Sequence, residues 1–310
     1  MLLYNIMKFS HLLFLFIILL LPIISYSAEK RIIASIKPIH SILLNIVENE
    51  DVYLMIDGEY SPHDYQMKPS VMKKLQQSDI IFYIDDNALE IFLQRPLKTI
   101  KEDNKKISLG TNSRLKTYSI RESGTFKDED SSDGHNHAHG EYDPHVWLDT
   151  ENVIKISKQI VKELSKLNPS NKGVYKKNAI IFIEKLNKNK KRLKIELEAI
   201  KDEPYIVFHD AYQYFEKEFN LSPATSISIN PGISPSPKRI KQIKSIISEN
   251  NIKCVFKEPQ FSSKVVQTII KDTAAKEGIL DPLGSNLESG KELYINLIND
   301  ISINLKKCLS

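Results

Sequence analysis

Cysteine and tryptophan are scarce in this sequence, which has two Cys and one Trp among 310 residues. Neither Cys lies near a histidine in the sequence, so the pattern does not indicate a zinc site with thiolate ligands. The sequence also lacks a basic stripe with interleaved aromatic residues, the usual footprint of a nucleic-acid-binding protein. The net charge of +4 arises from 43 basic and 39 acidic residues spread along the chain, so it favours no particular partner.

A single long hydrophobic run occurs, at the N-terminus. Lys8 precedes the uninterrupted apolar run LLFLFIILLLPII, residues 12–24, and small residues follow it. The run is shorter than the ~20 residues that a membrane-spanning helix needs, and its layout is typical of a secretory signal. We predict a signal peptide over residues 1–28, cleaved after Ser27 or Ala28, with an uncleaved anchor as the alternative. No Cys lies near the cleavage region, so a lipid anchor is not supported.

The two cysteines, Cys254 and Cys308, both lie in the predicted mature chain. An even pair in an exported protein favours a disulfide, which would stabilise the fold by ~4 kcal/mol in the chain-entropy model. Two buried free thiols are the alternative.

Short apolar runs alternate with amphipathic segments along the predicted mature chain. Strands are predicted over 32–36, 52–57, 79–85, 205–209, 224–229, 253–258 and 278–281, and helices over 40–47, 69–77, 150–167, 211–219, 237–250, 263–276 and 290–305. This repeated order predicts parallel sheets with helices on their faces.

A long helix is predicted between two such α/β lobes. From Ser170 to Ile200, apolar residues recur at spacings of three, four or seven and form one stripe. At ~1.5 Å per residue the helix would span roughly 45 Å. The predicted organisation is an N-terminal lobe over 29–168, a linker helix over 169–201 and a C-terminal lobe over 202–310.

Four potential metal ligands follow predicted strands. His209 ends one strand and Asp281 ends another, His63 lies in the loop after a strand, and His145 lies where a loop re-enters regular structure. Ligand sites of open α/β sheets lie at the carboxyl ends of the strands, so these side chains could converge in a cleft between the lobes. Three histidines with one oxygen suit tetrahedral zinc. From these residues alone, ordinary core or surface histidines are an equally good interpretation.

Several longer segments are similar to a known family. SPHDYQMKPSVMKKLQQSDIIFYI, DPHVWLD, VFHDAYQYFEKEFNL, CVFKEPQFSSKVV and GILDPLGSN resemble the high-affinity zinc-binding periplasmic components of ABC importers, the ZnuA type. The resemblance covers essentially the whole predicted mature chain, in the right order. It implies two α/β lobes bridged by a long helix, Zn²⁺ bound in the cleft, a membrane permease as partner and a disulfide between Cys254 and Cys308. We expect a monomer in the periplasm.

The resemblance also implies individual ligands. His63, His145 and His209 match the three family histidines that hold the metal, and His209 favours zinc because manganese-binding relatives have a carboxylate there. Asp281 matches a carboxylate that completes the site in several relatives, with water as its competitor. The Glu that precedes the first His in some zinc binders is replaced here by Pro62.

The segment 124–140 is polar, acidic and without periodicity, which predicts a loop. His135, His137 and His139 within it match the His-rich loop of zinc-type members, which is thought to collect zinc weakly. A solvated tract without a role is the alternative.

A secreted zinc hydrolase is the alternative function. Such an enzyme needs an open coordination position and a general base. The sequence has no HExxH pattern, and Glu258 is the one candidate base. A surface adhesin would need an anchor, for which the sequence shows no signal. We therefore expect a zinc carrier rather than an enzyme.

Overall fold

The computed structural model of the protein describes residues 31–121, 142–228 and 231–310. The predicted signal peptide and the predicted loop histidines His135, His137 and His139 lie outside these ranges. Within them, no helix is both long and apolar enough to cross a membrane.

The first sheet has four parallel strands, β1 (Ile32–Ala34), β2 (Val52–Leu54), β3 (Ile80–Tyr83) and β4 (Lys105–Ser108). Their order is β2-β1-β3-β4, so the chain crosses over between β2 and β3. The central strands β1 and β3 are buried and rich in isoleucine, which is typical of parallel strands covered on both faces. The sequence prediction missed β4, because this edge strand carries two lysines and has no apolar run.

Four helices accompany this sheet: α1 (Lys37–Leu44), α2 (Pro69–Gln77), α3 (Gln94–Thr99) and α4 (Thr150–Leu167). Proline lies in the first turn of α1 and α2, where its missing N–H leaves no helical bond unmade. The Asp149 side chain caps α4 by accepting from the Asn152 backbone N–H at 2.9 Å. The predicted bounds of α2 and α4 match the structure.

The predicted long helix is confirmed. Helix α5 (Lys172–Leu197) has 26 residues and is flanked by 3₁₀ turns at Pro169–Asn171 and Glu198–Ile200. Its buried side chains form one stripe. These residues are Tyr175, Ala179, Phe182, Leu186, Leu193 and Leu197.

The second sheet is also parallel and has the equivalent order, β6-β5-β7-β8. Its strands are β5 (Ile206–His209), β6 (Thr225–Ser228), β7 (Cys254–Lys257) and β8 (Lys276–Ile279). Its helices are α6 (Gln213–Phe219), α7 (Pro237–Glu249), α8 (Lys264–Ile270) and α9 (Leu293–Leu309). Two parallel sheets with flanking helices and a long connecting helix confirm the predicted fold class.

Some predicted element bounds in this part are wrong, and the helix predicted over 290–305 spans Leu293–Leu309. The helix predicted over 263–276 ends at Ile270, and Asp272 adopts a left-handed conformation with φ 65°. Strand β8 then begins at Lys276 and ends at Ile279, so Asp281 lies in the following loop rather than at the strand end. The exposed residue Lys276 is also compatible with the polar face of a helix, which explains the wrong prediction. In the structure it lies on an edge strand, where a charged side chain is common.

One continuous apolar core crosses from the first sheet to the second. It includes Ile81 of β3, Phe182 of α5 and Tyr294 of α9. Polar contacts reinforce the same boundary, since buried Lys37 donates from Nζ to the Ser285 carbonyl at 2.8 Å. Because the two sheets share a core, they form one packed body.

The predicted disulfide is present between Cys254 and Cys308, with Cα atoms 6.0 Å apart. It joins β7 to α9, and Cys254 lies in the core that the two sheets share. Gly278 of β8 leaves the space that this packing needs, because a Cβ there would lie 2.4 Å from the Phe256 ring.

Candidate metal centre

Three histidines from distant parts of the sequence meet between the two sheets. His63 comes from the loop between β2 and α2, His145 directly precedes a 3₁₀ turn at Val146–Leu148, and His209 is the last residue of β5. One ring nitrogen of each lies within 4.8 Å of the others. We call these three residues the histidine cluster.

The His145 side chain is held by a residue two positions before it in the sequence. Both its backbone N–H and its Nδ1 bond Asp143 Oδ1, at 3.0 and 2.7 Å. The neighbouring Trp147 anchors this turn to the other lobe, because its Nε1–H donates to the Pro282 carbonyl at 2.8 Å. The Nε2 atom of His145 therefore faces the cluster.

His209 is held by a neighbouring strand. Glu258, directly after β7, places Oε1 2.8 Å from His209 Nδ1. Phe261 packs edge-on against the His209 ring, with centroids 5.9 Å apart, and stacks on Phe208. This buried carboxylate and the aromatic contacts fix the ring from two sides.

His63 has the weakest support. Its backbone N–H donates to Ser61 Oγ at 3.2 Å. No carboxylate bonds its ring among the described residues, and its Nε2 is buried without a hydrogen-bond partner there.

The two supported rings face each other through Nε2. Since carboxylate oxygens accept, we assign the hydrogen of each ring to Nδ1, which leaves a lone pair on each Nε2. These two Nε2 atoms, of His145 and His209, lie 3.3 Å apart. When the His209 ring is neutral, the two facing lone pairs favour a cation between them. Carboxylates that bond the other ring nitrogen typically orient metal-binding imidazoles in this way.

Burial sets the charge of the cluster. Burial and the neighbouring histidines lower the pKa of His63 and His145 well below the usual value. Burial also lowers the pKa of His209, but the charge and hydrogen bond of Glu258 outweigh it and raise the pKa overall. Burial raises the pKa of Asp143 to about 7. His63 and His145 are thus neutral at pH 7, which is the form that binds metals.

Residues with unpartnered polar atoms line a pocket that also contains the histidine cluster. His63 Nε2, Glu258 Oε2 and Gln260 Oε1 are buried and make no hydrogen bond to any described residue. Leaving a buried polar group unpaired costs ~1–3 kcal/mol. The pocket is therefore suited to a polar or charged occupant.

Asp281, the predicted fourth ligand, does not join the cluster that the described residues form. Its carboxylate accepts from the backbone N–H groups of Leu283 and Ser285, at 3.0 and 2.5 Å, and from Gln260 Nε2 at 2.8 Å. Its role as a ligand stays a prediction.

Comparison with known proteins identifies the family. The model of the family described as "ZnuA: Zinc-uptake complex component A periplasmic" matches residues 32–308. The chain belongs to the ZnuA family. It is 36% identical to the high-affinity zinc uptake system protein ZnuA of Brucella suis, with 92% of this chain and 94% of that protein covered.

Further relatives agree with this ZnuA assignment. The chain is 32% identical to the high-affinity zinc uptake system protein ZnuA of Yersinia pestis, with 91% of this chain and 92% of that protein covered. A crystal structure of ZnuA matches with a TM-score of 0.77 and 25% identity, covering 91% of this chain and all of that one.

This ZnuA-family protein is a periplasmic zinc-binding component of an ABC importer. Zinc is the ion it carries, and a membrane permease is its partner. It is a solute-binding protein and not an enzyme, so the hydrolase alternative has no support. Glu258, the one candidate base for a hydrolase, instead bonds the Nδ1 of His209.

Sequence reasoning missed the residues that support the cluster. Asp143 was not assigned a role, although a carboxylate two residues before a candidate ligand is a recognisable signal. Glu258 follows β7, which pairs with β5, so the strand-end rule also places it beside His209. Nothing in the sequence singles out Gln260.

Proposed function

We propose that the histidine cluster is the tight zinc site of this importer component, and that the protein releases Zn²⁺ from it to the permease. The observation that carries the proposal is the convergence of His63, His145 and His209, contributed by both lobes, with ring nitrogens within 4.8 Å. Neutral imidazoles suit zinc among divalent cations.

The fourth coordination position is open to Asp281 or to water. Three nitrogens leave one position of a tetrahedral zinc ion unfilled. The hydrogen bonds of the Asp281 carboxylate to Leu283 and Ser285 favour water, because a carboxylate must leave part of these bonds to reach the cluster.

Other features of the protein are proposed from the sequence. We propose that residues 1–28 are removed on export, that the mature protein acts as a monomer and that nucleic acid is not a partner. We propose lobes over 29–168 and 202–310 joined by a linker over 169–201. His135, His137 and His139 are proposed as a weak collecting segment, whose affinity is limited by the ~1–2 kcal/mol needed to order each residue.

Titration against a strong chelator tests the proposed site. The purified mature protein should bind one zinc tightly and reversibly and show no metal-dependent hydrolysis. Deleting residues 131–140 should leave this tight binding intact. Loss of the tight zinc on that deletion would place the site in the deleted segment and overturn the proposal.

A further inference from the structure

Asp281 is the predicted fourth ligand, and hydrogen bonds hold its carboxylate in place. Four donors surround the carboxylate: the N–H groups of Leu283 and Ser285, the Ser285 hydroxyl and the Gln260 amide. Asp281 is buried, so it cannot exchange these donors freely for water.

Gln260 is the donor among them that belongs to another part of the chain. Its Nε2 donates to Asp281 Oδ1 at 2.8 Å and also to Ser285 Oγ. The orientation of the amide is determined by this contact, because the reverse orientation would set its oxygen against the carboxylate. The side-chain amide therefore ties the loop after β8 to the segment after β7.

The same segment also holds a ligand. Glu258 bonds the Nδ1 of His209, and the Phe261 backbone N–H donates to the Glu258 carbonyl at 3.2 Å, which closes a turn around Gln260. One short turn thus orients His209 toward the cluster and bonds Asp281 through a neighbouring residue.

We propose that Gln260 is a specificity-determining positioning residue, whose amide holds the Asp281 carboxylate away from the metal so that the histidine cluster binds its ion through nitrogen. This inference rests on the proposed zinc site. A carboxylate in the coordination sphere favours harder cations such as Mn²⁺, whereas imidazole nitrogens favour Zn²⁺. Restraining Asp281 therefore favours Zn²⁺ over Mn²⁺.

The test replaces the amide by an apolar side chain of similar size, Gln260→Leu, and measures Zn²⁺ and Mn²⁺ affinities of the mature protein. We expect Gln260→Leu to raise Mn²⁺ affinity roughly tenfold, the scale on which outer contacts tune a metal site. Adding Asp281→Asn to Gln260→Leu should remove that gain. Unchanged Mn²⁺ affinity in Gln260→Leu, or a gain that survives Asp281→Asn, would overturn the proposal.

A second measurement does not depend on the folding of any Gln260 variant. The visible spectrum of the Co²⁺-loaded protein reports the ligand set, and Asp281→Asn should leave this spectrum unchanged while His209→Ala alters it. A spectrum altered by Asp281→Asn would show that Asp281 already binds the metal and would refute the role of Gln260. Failure of the protein with native Gln260 and Asp281 to bind zinc would instead refute the proposed site.

Discussion

The two lobes have the same strand order but hold their proposed metal ligands differently. The C-terminal lobe supplies His209 from the end of a strand, with Glu258 from the adjacent strand behind it. The N-terminal lobe supplies His63 and His145 from loops, and only His145 has a carboxylate on its ring among the described residues. We therefore expect the rings of His145 and His209 to be held more rigidly than the ring of His63.

The lobes also differ in the groups that raise or lower their stability. The C-terminal lobe is crosslinked by its disulfide between β7 and α9. The N-terminal lobe has no cysteine and instead buries Glu90, whose Oε2 accepts the N–H groups of Ile84 and Asp85 at 2.7 and 3.0 Å. Changes confined to one lobe should therefore separate stability from metal binding.

The largest expected effect comes from removing the imidazole of His209. His209→Ala should weaken zinc binding about 100- to 1,000-fold, since a structural zinc site stabilises by roughly 10–16 kcal/mol over four ligands. Chelator competition measures this. His40→Ala is the matched control, because His40 bonds the Val52 carbonyl outside the cluster.

Breaking the crosslink should destabilise the protein without altering the site. The Cys254→Ala/Cys308→Ala variant should lose up to ~4 kcal/mol of unfolding free energy, given a separation of 54 residues. Urea unfolding measures the loss, and zinc titration of the same sample should match the disulfide-bonded protein. A large loss of zinc affinity would show that the disulfide and the histidine cluster are coupled.

In the N-terminal lobe, a variant of the buried residue Glu90 should change how the unfolding free energy depends on pH. Burial raises the pKa of Glu90 to about 7, above its value in the unfolded chain, so its contribution is present below about pH 4.5 and is lost as pH rises through 7. Glu90→Gln should therefore gain about 2–3 kcal/mol relative to the native protein between pH 5 and 8. Urea unfolding at both pH values measures this, with exposed Glu48→Gln as control. An equal difference in unfolding free energy between Glu90→Gln and the native protein at both pH values would contradict the raised pKa of Glu90.

The smallest expected effect comes from changing the side chains that hydrogen-bond the histidines of the cluster. Glu258→Gln should weaken zinc binding roughly 10–100-fold, because carboxylates behind metal-bound imidazoles have effects of that size. Ser61→Ala should have a smaller effect, since Ser61 bonds only the backbone N–H of His63. Chelator competition ranks the two, and a larger effect of Ser61→Ala would reverse the comparison between the lobes.

Much of the fold follows from the sequence pattern. The isoleucine-rich strands β1 and β3 and the apolar stripe of α5 are recognisable because burial alone determines their residue types. Strands β4 and β8 carry lysines at sheet edges, where burial leaves no pattern, and β4 was missed while β8 was displaced.

Only the three histidines of the site are predictable from the sequence. His63, His145 and His209 follow from strand ends and from family resemblance, and the structure brings them together. One of the hydrogen bonds to Asp281 comes from Gln260, which is 21 residues away in the sequence and belongs to a different loop. Such contacts arise from tertiary packing, so no local pattern indicates them.

The most direct test of the two-lobe site is a crystal structure of the mature protein loaded with zinc, with the ion located by its anomalous scattering. We expect one zinc ion about 2.0–2.1 Å from a ring nitrogen of each of His63, His145 and His209. A zinc ion bound by the histidines of residues 131–140, with the cluster making no contact to it, would contradict the account.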